Sequence, residues 1–337
     1  MNTIQERLRK HWFVCCEASR LGKGPIGVSV LGLPIVIYRS ADGIVAAEDR
    51  CPHRNAPLSR GTVHEGKLRC PYHGWSFGAE GQCVEAPGMC STDMPVVRLN
   101  RWKVQESDGW IWGARPGTHS DQSFYRSAVA ENNGYQGFNM SAELDSNLAD
   151  AIENLLDGTH TPFVHSGLVR SSRAKQSFTA IVRRHDDRVE AEYRGEAKQN
   201  GLISRLFEPD REVSFGRFVP PCTAELEYRS RRRLELLVVV HFTPSAEGKV
   251  QVFVRCYLPH GRLPASWRFA VVRPFFRRVL RQDRKILQLQ QWNVARFERQ
   301  AYTNWTADLL RPWIDAWLEE GQFPAQPEGP SEIRFHL

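Results

Sequence analysis

Short apolar runs separated by turn residues dominate the first part of the chain. Gly32 and Pro34 lie between two such runs, and Asp42-Gly43 leads into a third. This alternation is typical of hairpins, and many short strands in succession indicate an antiparallel, barrel-like sheet. The runs are Trp12–Val14, Ile26–Leu31, Ile35–Arg39 and Ile44–Glu48, with a closing pair around Val104 and Trp110–Trp112.

The pattern changes in the second part of the chain. A helical periodicity covers about residues 145 to 165, and another covers about 267 to 320. Strand-like runs lie between them, at Phe178–Arg184, Val189–Tyr193, Ala224–Tyr228, Leu234–Phe242 and Lys249–Leu258. We therefore predict an α+β protein: an all-β domain over residues 1–117, then a helix-flanked antiparallel-sheet domain over 118–337.

Composition adds limits to this picture. The chain has 337 residues, enough for two domains, and it contains no apolar stretch of about 20 residues that would span a membrane. Its N-terminus has no apolar signal core, so we expect a cytoplasmic protein. The net charge of +7 comes without any nucleic-acid-binding motif. Basic clusters at 229–233 and 273–285 are either solvated faces or a docking surface for an acidic electron donor.

Four potential metal ligands stand in two short pairs. Cys51 and His53 form a C-x-H pair, and Cys70 and His73 form a C-x-x-H pair after a sixteen-residue gap. A structural zinc site can use two Cys and two His, but zinc fingers usually separate the two residue types into different pairs. A cluster with thiolates on one iron and imidazoles on the other needs mixed pairs, so the spacing favours a Rieske [2Fe–2S] cluster. Six other cysteines show no repeated spacing and are expected to be free thiols, mostly buried.

These pairs resemble the Rieske domain of the Rieske non-haem iron oxygenases, in their terminal oxygenase component. Respiratory Rieske proteins carry an extra Cys in each loop, and neither loop has one here. The resemblance rests on the runs Cys51-Pro-His53-Arg54 and Cys70-Pro-Tyr-His73-Gly-Trp75.

A second group of candidate ligands lies in the first predicted helix. Glu153, Asp157 and His160 are spaced to share one helical face. Pro162 disfavours helical geometry at the residue before it, so we expect the helix to break there and a turn to bring His165 to the same metal. Two imidazoles and one carboxylate suit Fe(II) with open positions for oxygen. The alternative is that both histidines are ordinary surface or core residues.

The resemblance extends to this segment. Asp157, His160 and His165 match the family's D-x-x-H-x₄-H iron motif, which implies that the histidines bind the iron and that Asp157 joins His73 to His160. A late Asp in the family resembles Asp283, the acid within an apolar helical stripe of Phe276, Leu280 and Leu287. Asp283 is thus the predicted third ligand, and its alternative is a surface Asp paired with nearby Arg or Lys. Asp308 and Asp315 are the fallback candidates.

The implied function is that of a terminal oxygenase. The resemblance implies O₂ activation at a mononuclear Fe(II) with electrons from the Rieske cluster, and hydroxylation or O- or N-demethylation of a small aromatic or cyclic substrate. No nicotinamide or flavin motif occurs in the chain, so electrons from NAD(P)H must arrive through a separate reductase or ferredoxin. The family also implies a homotrimer, with cluster and iron meeting across a subunit boundary. The alternative is an electron-transfer protein that uses the cluster alone, in which residues beyond about 117 have no role in the chemistry.

Overall fold

The chain divides into two compact units. One comprises Met1–Phe124 with Thr243–Glu247, and the other comprises Tyr125–Phe242 with Gly248–Leu337. Within the first unit, the hydroxyl of Thr243 donates a 2.8 Å hydrogen bond to the carbonyl of Val14. The computed structural model describes residues 3–88, 94–118, 124–169, 177–195, 211–261, 264–297, 302–325 and 331–336.

The first unit is built almost entirely of short antiparallel strands, as its sequence pattern predicts. A short helix, α1 (Thr3–Leu8), precedes them. The larger sheet has six strands in the order β1-β10-β9-β4-β3-β2, and a second has four in the order β5-β6-β7-β8. The strands are β1 (Phe13–Glu17), β2 (Ile26–Val30), β3 (Leu33–Ser40), β4 (Gly43–Glu48), β5 (Thr62–His64), β6 (Lys67–Arg69), β7 (Ser76–Phe77), β8 (Cys83–Glu85), β9 (Arg101–Ser107) and β10 (Trp110–Ala114).

The core of this unit lies beneath the predicted cluster loops. Tyr38, Leu58, Leu68 and Phe77 are fully buried and pack in one cluster with the two motif cysteines. The prediction of buried free thiols is confirmed for the described cysteines outside the motif, except that Cys83 is only half-buried, and Cys90 lies outside the described residues. Packing against fixed aromatic and aliphatic side chains gives the two loops a rigid base.

The second unit is an eight-stranded antiparallel sheet with helices, which confirms the predicted α+β class. Three of its strands were not predicted: β11 (Tyr135–Asp145), β14 (Val213–Val219) and β18 (Ser331–His336). Gly216 and Arg217 interrupt the apolar pattern of β14, where Arg217 pairs across strands with Glu190 and Glu227. The order is β11-β17-β16-β15-β14-β13-β12-β18. The strands are β11 (Tyr135–Asp145), β12 (Ser177–Arg184), β13 (Val189–Arg194), β14 (Val213–Val219), β15 (Thr223–Arg229), β16 (Leu234–Ala246), β17 (Lys249–Pro259) and β18 (Ser331–His336).

The helices differ from the prediction at their ends. The first predicted helix is two helices, α2 (Leu148–Leu156) and α3 (Thr161–Val164). The late helical stretch is also two, α4 (Ala265–Val294) and α5 (Arg311–Glu320), and residues 302–310 between them are not helical. Within the described part of the chain, none of the helices has the length and apolar composition needed to cross a membrane.

A buried ion network joins α2 to α5. The guanidinium of Arg311 pairs with Asp150 at 2.9 Å, with Asp315 at 2.8 Å, and with Glu153. Tyr302 donates a further 2.7 Å hydrogen bond to Asp150. Because the side chain of Asp150 is only 3% exposed, its charge depends on these partners. The network therefore fixes α2, the helix that leads into the predicted iron motif.

Replacing Arg311 with Met should destabilise the protein by about 3–5 kcal/mol, because two largely buried carboxylates lose their cation. The midpoint of urea unfolding measures this loss. The matched control is Arg231→Met, at a side chain that is 86% exposed and paired with Glu212, which should shift stability by no more than about 0.5 kcal/mol. Equal effects of the two substitutions would contradict a special role for the network.

Candidate metal centres

The two predicted cluster loops have the same backbone design. In each, the backbone N–H of the Cys donates a hydrogen bond to the carbonyl five residues later. The N···O distance is 2.9 Å from Cys51 to Ala56 and 2.8 Å from Cys70 to Trp75. In each, the residue four positions after the Cys donates back to the Cys carbonyl, at 2.8 Å from Asn55 and 3.2 Å from Gly74. Those two residues have left-handed backbones, with φ of 59° and 72°. Asn and Gly are the residue types that adopt this conformation most readily, which explains their presence here.

The side chains of these loops suit an iron–sulfur cluster. Burial and the neighbouring Cys70 thiol raise the pKa of Cys51 to about 11, so the Cys51 sulfur needs a bound cation to persist as a thiolate at neutral pH. The His53 and His73 rings lie with centroids 4.5 Å apart. The His53 Nδ1 is buried and has no hydrogen-bond partner in the described part of the chain, as expected of an atom reserved for a metal. Trp75 stacks on His53 at 4.5 Å and holds the ring in place.

The second site begins where α2 ends. Asp157 is extended, with φ of −76° and ψ of 111°, so the helix stops before it and the predicted shared face of Glu153, Asp157 and His160 is wrong. Glu153 points instead into the network with Arg311. Pro162 does not end a helix but lies in the first turn of α3, where a missing N–H costs nothing. The helix break thus falls at 157–160, earlier than predicted. The turn still brings the imidazole of His165 to that of His160, as expected.

Three ligand atoms from two separate elements meet at this site. The Nε2 atoms of His160 and His165 are 3.2 Å apart, and Asp283 Oδ1, carried by α4, is 2.9 Å from His165 Nε2 and 3.6 Å from His160 Nε2. These three residues, His160, His165 and Asp283, form a group able to hold a metal ion and are called the triad below. Asp283 Oδ1 is buried and makes no hydrogen bond within the described residues. Two imidazoles and a carboxylate converging in this way fit a divalent iron with open positions.

The electrostatics of the site favour a cation. Burial alone would lower the pKa of His160, but contacts with Asp157 and Asp283 raise it to about 9. Burial would raise the pKa of Asp283, yet His160 and His165 lower it overall. The pKa of Asp157 is likewise lowered, against the effect of burial, by the nearby His160 imidazole and by the hydrogen bond from the Thr159 N–H. Both carboxylates are therefore ionised at neutral pH and make the site electronegative.

The fallback acids are engaged elsewhere. Asp308 accepts a 2.9 Å hydrogen bond from the backbone of Trp305, and Asp315 pairs with Arg311. One neighbour of the triad was missed: the Gln282 side chain lies 3.0 Å from His165 Nδ1. Its position directly before Asp283 was the available signal, but side-chain direction on a helix cannot be read from adjacency alone.

An apolar cavity opens from the triad. Its volume is about 140 Å³, close to that of an engineered apolar cavity of about 150 Å³ that binds benzene. Residues of β11, α2 and α4 line it together with residues of strands β15, β16 and β17. Polar groups are few, and among them are Arg211 and Tyr228, with the guanidinium 5.1 Å from the ring centroid. Typical apolar members are Met140, Leu144, Leu226, Val238, Val254 and Leu280.

A Rieske-type loop pair and a His-His-Asp site beside an apolar cavity define an iron-dependent oxygenase. Comparison with known families agrees. Residues 11–100 match the Rieske [2Fe-2S] domain, and residues 144–312 match the vanillate O-demethylase oxygenase C-terminal domain. The chain belongs to the Rieske non-haem iron oxygenases, as a terminal oxygenase component.

Individual relatives and structures support this assignment. The chain is 29% identical to the vanillate O-demethylase oxygenase subunit of Pseudomonas sp. strain HR199 over 90% of both chains. It is 34% identical to the dicamba O-demethylase oxygenase component of Stenotrophomonas maltophilia over 47% of this chain and 48% of that one. The fold matches NdmA of Pseudomonas putida CBB5 with caffeine, with a TM-score of 0.79 at 22% identity, covering 95% of this chain and 92% of that one.

The family assignment decides between the two functions considered from sequence. The protein is an oxidoreductase that uses O₂, with a Rieske [2Fe–2S] cluster and a mononuclear iron as cofactors. Oxygenases of this kind act with a separate reductase or ferredoxin. The electron-transfer alternative is disfavoured because the matched oxygenase domain and the His-His-Asp group both lie beyond residue 117.

Proposed function

We propose that this protein is a terminal oxygenase that O- or N-demethylates, or hydroxylates, a small substituted aromatic acid. The observation that carries the proposal is the opening of the His160, His165 and Asp283 group into an apolar cavity of about 140 Å³. A site of that size and lining suits one substituted ring, with the group to be oxidised directed at the metal ligands.

Two sets of residues would hold the metals. Cys51 and Cys70 would bind one iron of the cluster, and His53 and His73 the other. His160, His165 and Asp283 would bind the mononuclear iron and leave its remaining positions open. When bound, the cluster supplies electrons singly and the mononuclear iron reduces O₂ with them. Around this chemistry the apolar wall excludes water and orients the ring.

Asp157 is the proposed link between the two centres. Its Oδ2 lies 3.6 Å from His160 Nδ1, and the backbone N–H of Thr159 fixes its other oxygen at 2.7 Å. The pKa of Asp157 is lowered, so it stays an anion that orients the His160 ring. Exposed His73 of a neighbouring subunit would complete the route from the other side.

The acid group of the substrate is proposed from the cavity and from the relatives. The names of three relatives contain vanillate, 3-chlorobenzoate and toluene-4-sulfonate, which are all anionic substituted rings. Arg211 offers a guanidinium in an otherwise mostly apolar wall, and its contact with Tyr228 restricts its orientation. A planar guanidinium matches a carboxylate or sulfonate with paired hydrogen bonds.

The finer features of assembly are also proposals. We place the functional boundary between the Rieske and catalytic domains near residue 117. We propose a homotrimer in the cytoplasm, served by a separate NAD(P)H-dependent reductase or ferredoxin. Exposed aromatic side chains on α4 support a subunit contact: Trp267 is 72% exposed and Trp292 is 59% exposed. The exposed basic residues of the same helix support docking of an acidic donor.

His160→Ala should abolish formaldehyde release from methoxybenzoates, because the second metal site loses a ligand, while the cluster is still reduced by a surrogate reductase. Formaldehyde assay and bleaching of the visible absorption measure the two properties separately. His260→Ala, at an exposed histidine, is the control and should behave as wild type. Unchanged formaldehyde release by His160→Ala would refute the assignment of this site.

Asp157→Asn should leave both metal centres occupied but slow turnover by about 10–100-fold, because a neutral amide orients the imidazole less strongly. Iron content and steady-state turnover together test this expectation. Asp187→Asn, at a side chain that is 68% exposed, is the matched control. Turnover equal to wild type would count against Asp157 as the link.

Arg211→Gln should weaken binding of a methoxybenzoate by about 10–100-fold, because hydrogen bonds to charged groups contribute about 1.5–3 kcal/mol. Binding of the matching methoxybenzamide should change little, since it carries no charge. Titration calorimetry on wild type and variant gives both affinities. If acid and amide bind the wild type equally, the proposed acid preference is wrong.

A further inference from the structure

Gln282 contacts the metal site without being one of its ligands. It precedes Asp283 on α4 and is half-buried. Its side-chain Oε1 lies 3.0 Å from Nδ1 of His165, a residue 117 positions earlier in the chain. His165 itself is 2% exposed, so water has little access to compete for this contact.

The contact constrains the tautomer of His165. A neutral imidazole carries one N–H, and the other nitrogen offers a lone pair. Because Gln282 Oε1 can only accept, the hydrogen must sit on Nδ1, which leaves the lone pair on Nε2. That nitrogen is the one placed 2.9 Å from Asp283 Oδ1 and 3.2 Å from His160 Nε2. The opposite amide orientation would present an N–H to Nδ1, protonate Nε2 and block metal binding.

The two imidazoles of the site therefore have different supports. His160 faces a carboxylate, Asp157, through its Nδ1 at 3.6 Å. His165 faces a neutral amide at a shorter distance. A carboxylate at position 282 would add a third negative charge to a site that already holds Asp157 and Asp283. An amide oxygen supplies the acceptor without that charge.

We propose that Gln282 is a positioning residue that holds His165 in its Nδ1–H tautomer and aims Nε2 at the metal. The proposal rests on the proposed function, since it takes the triad to be the iron site. Because Gln282 and Asp283 are consecutive on α4, one helical turn supplies both a ligand and the support of another ligand. Burial of Leu287 one turn later anchors that segment of the helix.

The test compares three variants of the full-length protein. Gln282→Met keeps the length of the side chain but removes the acceptor, and Gln282→Glu keeps an acceptor oxygen. Gln288→Met is the matched control, because Gln288 lies on the same helix and bonds Asp145, away from the triad. Co²⁺ is titrated, in competition with a chromophoric chelator, into protein that retains its cluster but has lost the mononuclear iron.

Gln282→Met should weaken Co²⁺ binding by about 10–100-fold, the usual effect of removing such a support. Gln282→Glu and Gln288→Met should bind Co²⁺ within a few fold of wild type, with all variants retaining the cluster absorption. If Gln282 acted only through packing, both substitutions at position 282 would weaken Co²⁺ binding. Normal binding by Gln282→Glu alone therefore shows that the acceptor oxygen is what matters.

Three results would overturn the proposal. Wild-type affinity in Gln282→Met would show that no acceptor is needed, and equal losses in Gln282→Met and Gln282→Glu would show that the residue acts through packing alone. Failure of the wild-type protein to bind Co²⁺ would overturn the iron site together with the role of Gln282. That result is therefore distinguishable from failure of the Gln282 assignment alone.

Discussion

The convergence of three electron-pair donors is the constraint on which the catalytic unit depends. Two imidazole nitrogens 3.2 Å apart and a carboxylate oxygen 2.9 Å from one of them repel each other unless a proton or a metal cation lies between them. Against the effect of burial, contacts with Asp157 and Asp283 raise the pKa of His160 to about 9, so the arrangement favours positive charge at this point. The same geometry, with Asp157 and Gln282 on the outer ring nitrogens, becomes favourable when a divalent iron binds.

The fold supplies this geometry through a helix that stops early. The end of α2 at Leu156 releases Asp157 and places His160 at the start of α3, one turn before His165. The network around Arg311 holds α2, and α4 brings Asp283 from the far end of the chain. Rigid elements on either side fix the ligands, so a metal does not have to order loose loops when it binds.

Motif spacing and the family resemblance named the candidate ligands, and the structure brings three of them, His160, His165 and Asp283, together. The cluster loops were recognisable because mixed Cys and His pairs have few other uses, and Asp283 stood out as an acid in an apolar stripe. The helix end at Leu156 was not predicted, because a regular 3.6-residue spacing continues through Asp157 although the backbone does not. Pairing of Glu153 with Arg311 and contact of Gln282 with His165 join residues more than a hundred positions apart, which spacing does not encode.

The most direct test of two metal centres in one chain is the iron and acid-labile sulfide content of anaerobically purified protein, together with its visible spectrum. The account predicts about three irons and two sulfides per chain with a reddish-brown spectrum. About two irons and two sulfides, unchanged after incubation with Fe²⁺, would contradict the second centre. A colourless protein containing zinc would contradict both.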